Sequence, residues 1–109
     1  MKMITAIVNK KDTLRVCEAL TGNGVEFTRL ATTGGFLRAG NTTLMIGIDD
    51  DRLELALDLI RKNCARRMEK VPTPSGMDAP VHLHNPQVAE VMVGGAIVFV
   101  NDVTYFEKM

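Results

Sequence analysis

The sequence predicts a single α+β domain, and three observations carry that prediction. Short apolar runs alternate with two stretches of helical period, in the order strand, helix, strand, strand, helix, and then two more strands. A chain of 109 residues holds one core. Apolar residues make up 46% of it, which is globular composition.

Each element has a local reason. Met3 to Val8 is a run rich in branched residues, ended by Asn9 and two lysines. Asp12 stands where a helix N-cap would, and Leu14, Cys17 and Leu20 follow at three-residue steps. Gly22-Asn23-Gly24 closes that helix, and Val25 to Thr32 reads as the second strand. Gly34-Gly35 opens a tight connection to a third strand, Thr42 to Ile48.

The second helix is the clearest element. Asp49, Asp50 and Asp51 sit at its start, and Arg61, Lys62, Arg66 and Arg67 at its end, matching the helix dipole. Leu53, Ala56, Leu57, Ile60 and Cys64 form its core stripe. Residues 68–87 show no period and contain all four prolines, so a long loop is expected there. Val88 to Val93 and Ala96 to Val100 flank Gly94-Gly95, which reads as a hairpin. Asp102 is expected to cap a last helical turn carrying Tyr105 and Phe106.

This order is the ferredoxin-like βαββαβ pattern with an added hairpin strand. Two helices cover one face of a four-stranded sheet. Yet the first strand offers Ile4, Ala6 and Val8 on one side and Met3, Thr5 and Ile7 on the other. The uncovered face therefore calls for another subunit.

Several functions are disfavoured. Lys plus Arg and Asp plus Glu both number 13, without the basic excess of a duplex-binding protein, so no nucleic-acid partner is expected. The start MKMITAIVNKK has too short an apolar run for a signal peptide, and no stretch is long enough for a bilayer. A cytoplasmic protein without a membrane partner is the expectation, with Cys17 and Cys64 as buried thiols. Asp49–Asp51 reads as helix-start chemistry, and His82 and His84 as loop histidines, so no metal is expected. No nucleophile–base pair or phosphate-cradling loop marks an enzyme, so no catalytic residue is assigned.

The segment ATTGGFLRAGNTTL, residues 31–44, is the exception to this ordinary composition. It concentrates an aromatic, a guanidinium, an amide, three glycines and four threonines. An aromatic ring stacks on a base, an amide reads an adenine edge, and backbone N–H groups or a guanidinium hold phosphate. Arg38 could equally be solvated.

GGFLRAGNTTL, with MKMITAIV and VGGAIVFV, closely resembles the bacterial cyclic di-AMP receptors, a PII-like family, over nearly the whole chain. The resemblance implies one PII-like domain spanning 1–109, with a short loop at 33–41 and a long one at 68–87. It implies a homotrimer that binds cyclic di-AMP between subunits, without further cofactor, and signals to an unknown downstream protein. Carried over by position, Asn41 meets an adenine edge, and Phe36 with Leu37 lie against a base. Gly35 belongs to the same loop, the Gly47 backbone lies near adenine, Thr28 near the phosphate–ribose ring, and Phe99 closes the pocket. The chain departs from the family at Glu26, where a basic residue is usual, and at Gly24, where some members have an amide. The alternatives are a PII-like sensor of ATP or ADP, or a small nucleotide hydrolase. The reversed loop lengths argue against the first and the lack of a metal cluster against the second.

Overall fold

The computed structural model describes residues 1–32, 40–72 and 88–109. Strand β1 (Lys2–Asn9) leads through a 3₁₀ turn, Lys10–Asp12, into helix α1 (Thr13–Gly22). Strands β2 (Thr28–Thr32) and β3 (Asn41–Ile48) follow. A second 3₁₀ turn, Asp50–Arg52, starts helix α2 (Leu53–Asn63). The chain ends in β4 (Arg67–Pro72), β5 (Val88–Val93) and β6 (Ala96–Asp102).

Four strands form an antiparallel sheet in the order β2-β3-β1-β6, compatible with a ferredoxin-like fold. Strand alternation sets its two faces. Ile4, Ala6 and Val8 of β1 and Leu44, Ile46 and Ile48 of β3 point one way. They join Val16, Cys17 and Leu20 of α1, and Ala56, Ile60 and the adjoining Cys64, in a single core. Both helices therefore cover the same face. Each large aliphatic side chain sealed there contributes about 1.5–3 kcal/mol.

Several expectations are corrected. The α1 stripe runs through Thr13, Val16, Cys17 and Leu20, while Leu14 faces solvent. Asp12 occupies the N-cap position without capping, because its side chain is buried and ion-paired elsewhere. β2 starts three residues later than expected, though Val25 still reaches the core. Helix α2 stops at Asn63, so Arg66 and Arg67 lie beyond it, and Arg67 begins β4. The final helical turn is absent: Asp102 ends β6, and the Val103 N–H donates to the Met1 carbonyl at 3.1 Å.

The largest correction concerns the expected hairpin. Gly94 and Gly95 do take positive φ, 85° and 87°, as a tight turn would require. However, β5 pairs with β4 in a separate two-stranded ribbon, and β6 pairs with β1 in the main sheet. The glycine pair is the point where the chain passes from one sheet to the other. A Cβ on Gly94 would lie 2.7 Å from the Ala65 carbonyl oxygen, so the backbones here approach too closely for a side chain. The expected long loop is likewise partly a strand, since residues 68–72 belong to β4. Residues 73–87, with His82 and His84, lie outside the described residues.

Candidate functional site

On the sheet face away from the helices, residues directly opposite one another form cross-strand rows. One row runs Thr28, Met45, Thr5, Phe99, from β2 through β3 and β1 to β6. A second runs Leu30, Thr43, Ile7, Ile97. Gly47, Met3 and Asn101 form a third, and Thr32, Asn41 and Asn9 a fourth. Four of the seven expected ligand residues, Thr28, Asn41, Gly47 and Phe99, thus share one face. Gly35, Phe36 and Leu37 lie outside the described residues, as does Arg38.

This face mixes threonine and asparagine with apolar side chains, several of which the described parts of the chain leave open. Phe99 is 46% exposed, Leu30 43% and Met45 38%. Leu30 and Met45 are diagonal neighbours on β2 and β3, and Phe99 stands on β6 with Thr5 between it and Met45.

Thr28 and Phe99 stand at opposite edges of their row. At ~4.8 Å between neighbouring strands, they are about 14 Å apart. Asn41, by contrast, sits between β1 and β2, opposite Asn9 and Thr32. It was expected on a loop, but it is the first residue of β3 and is buried. Its carboxamide therefore has a structural environment within the sheet.

Gly47 opens onto a cavity of about 230 Å³ between β3 and the segment before β2. Gly24, Glu26, Asp49, Arg52 and Met1 also line it. The two positions that depart from the family pattern, Gly24 and Glu26, therefore lie in the same hollow as an expected ligand residue. The cavity is poor in available positive charge. The Met1 ammonium is held by Asp50 at 2.9 Å, which pulls the Asp50 carboxyl below its usual range. Arg52 donates to the carbonyls of Asn23 at 2.7 Å and Gly24 at 3.3 Å. Arg29 offers no replacement on this face, because it pairs with Leu44 and shares the helix side of the sheet.

Arg52 and Met1 were not picked out from the sequence. Arg52 had a signal, since a cation at a helix start opposes the dipole and implies a tertiary task. Met1 had none, because it reaches Gly47 only through strand register. A Cβ at Gly47 would lie 3.0 Å from Met1 Cε, so glycine leaves this stretch of backbone open.

Among the described residues, no group of three or more His, Cys, Asp or Glu side chains could hold a metal ion. Burial, reinforced by the nearby Asp12 charge, pushes the Cys64 thiol up to about 12, so it is no thiolate at neutral pH. No helix among the described residues is long and apolar enough to cross a membrane.

The fold and the site define a small α+β protein with an open sheet face suited to ligand or subunit contact. Comparison with known proteins gives the family. The family model for the cyclic-di-AMP receptor matches residues 1–109, and the chain belongs to that family. It is also similar to a crystal structure of a functionally unknown protein from Pediococcus pentosaceus, with 37% identity and a TM-score of 0.79. That match covers 99% of this chain and 96% of the other.

Proposed function

We propose that this protein is a non-enzymatic receptor that binds cyclic di-AMP between subunits of a homotrimer and signals to a downstream protein. The observation that carries the reading is the distribution of the candidate residues. Thr28, Asn41, Gly47 and Phe99 share one face of the sheet, yet Thr28 and Phe99 stand on its two opposite edges. One compact dinucleotide pocket using both is most simply built from the β2 edge of one subunit and the β6 edge of the next. Such a contact is head-to-tail, and head-to-tail contacts close into a ring when the rotation between neighbours returns to its start. The family resemblance makes that ring a trimer.

Within the pocket, Asn41 reads the adenine edge, Phe99 and the loop aromatic Phe36 give stacking surface, and the bare Gly47 backbone admits a base. Stacking contributes about 1–3 kcal/mol per base. Glu26 and Asp49 make the cavity beside Gly47 hostile to phosphate and suited to the base end of the ligand. The β4–β5 ribbon supplies a surface for the downstream protein, with Met68 and Met92 opposite each other and exposed. Paired methionines form an adaptable apolar contact.

The test is calorimetric titration with cyclic di-AMP, with cyclic di-GMP and ATP as controls, alongside light scattering of the free protein. Selective binding near one ligand per subunit of a trimer is the expected result. Equal response to all three nucleotides, or a monomer that binds fully, would remove the proposed pocket.

A further inference from the structure

We propose that the turn Lys10–Asp12 is a coupler that fastens the end of the ligand loop to the root of the β4–β5 ribbon, with Lys11 and Asp12 as positioning residues. This rests on the receptor reading above, because it describes how occupancy of that site reaches the ribbon.

On the loop side, the Lys10 N–H donates to the Gly40 carbonyl at 3.3 Å, immediately before Asn41. Asn9 lies directly opposite Asn41 in the β1–β3 ladder. The Asn9 side chain also caps the turn, accepting from the Lys11 N–H at 2.8 Å. Its carbonyl accepts from Thr13 Oγ1 at 3.2 Å. The turn is thus tied at one end to the residue expected to read adenine.

On the ribbon side, Lys11 Nζ meets Glu69 Oε1 at 3.2 Å. Asp12 Oδ1 accepts from Arg67 at 2.9 Å and from Arg15 at 2.5 Å. Arg67 opposes Val93 in the ribbon's rung nearest the main sheet. Gly94 packs over the same carboxylate, where a Cβ would sit 3.2 Å from Asp12 Oδ2. Arg15 and Arg67 also donate to the carbonyls of Asn63 and Ala65, both at 3.3 Å, so the end of α2 joins the cluster.

Asp12 is fully buried, and its Oδ2 has no hydrogen-bond partner among the described residues. A buried carboxylate with one idle oxygen is an expensive way to stabilise a fold. It does gather α1, through Arg15, and β4, through Arg67, onto one oxygen. Within three residues the chain passes from Gly40 to Arg67 and Glu69, so a ligand that resets Gly40–Asn41 also resets the ribbon's anchor. Linkage makes the effect reciprocal: loosening the anchor changes ligand affinity.

The test is amide hydrogen exchange across residues 67–72 and 88–93, with and without cyclic di-AMP, together with calorimetric affinity. The variants are Asp12→Asn, Lys11→Glu, Glu69→Lys and the Lys11→Glu/Glu69→Lys charge swap. In the wild type, ligand slows exchange in the ribbon. Each single charge reversal diminishes that response and weakens binding about two- to fivefold, as fits a partly exposed pair. The swap restores both, and Asp12→Asn has the larger effect. If Asp12→Asn does not fold, the charge swap at partly exposed positions still decides. Single variants with a full ribbon response, or a swap without recovery, would overturn the coupler. Wild-type binding without a ribbon response would also overturn it while leaving the receptor reading intact. Absence of wild-type binding in the titration would instead end the receptor reading and the coupler with it.

Discussion

Gly94→Ala is the sharpest test of how the chain changes sheets. The residue has φ 85°, where an alanine costs about 1–2 kcal/mol through contact of its Cβ with the following carbonyl. The added methyl would also lie 2.7 Å from the Ala65 carbonyl oxygen and 2.7 Å from an Arg67 guanidinium nitrogen. The guanidinium can move, but only by loosening its bond to Asp12. The carbonyl belongs to backbone and moves only with the end of α2. Adding about 1–2 kcal/mol for that displacement, in the range of overpacking, brings the total to about 3 kcal/mol. For a domain of this size that lowers Tm by roughly 12–20 °C. Gly22→Ala is the control, since nothing lies within 4 Å of its added methyl and it ends a helix. It should be neutral or stabilising by up to ~1 kcal/mol. Thermal unfolding followed by circular dichroism, at one fixed protein concentration, reads both variants. A Gly94→Ala protein melting within 2 °C of the wild type would refute the close approach and return Gly94-Gly95 to an ordinary turn.

Asn41→Ala should weaken cyclic di-AMP binding by about 5- to 150-fold, the worth of one bidentate base contact. Because Asn41 is buried, the same change should also lower stability by about 1–3 kcal/mol, so affinity is measured well below the transition; unchanged affinity removes it from the site. Glu26→Arg should not tighten cyclic di-AMP binding, because the cavity beside Gly47 takes the base end of the ligand; a roughly tenfold gain in affinity by calorimetry would instead put a phosphate there. Cys64 ionises near 9.0 when unfolded and near 12 when folded, so the folded state keeps its proton longer. Its contribution is complete below pH 9 and is lost as pH climbs toward 12; denaturant titrations across that window should show a shallower decline for Cys64→Ala, and identical slopes would contradict the burial argument.

Much of the fold was legible because local physics wrote it. The stripe Ala56, Ile60, Cys64 and the alternation of Ile4, Ala6 and Val8 reappear as the core. The motif around Asn41 identified the ligand class, and the family match agrees. Strand β4 was illegible because RMEKVP does not alternate and ends in a proline that reads as loop, and it becomes a strand only through pairing with β5. Asn41 resembled a loop residue beside Gly40, and its burial comes from two neighbouring strands.

By itself the sequence determined the elements, the side chains that share a face, and the chemistry gathered at residues 31–44. These follow from helical and strand periods and from residue type, which act over a few positions. Only the tertiary structure decided that β5 leaves β6 for β4, that Asp12 forgoes capping for Arg15 and Arg67, and that Thr28 and Phe99 stand at opposite edges. Those outcomes depend on hydrogen bonds and ion pairs between residues up to about 100 positions apart, and such pairings leave no local mark in the chain.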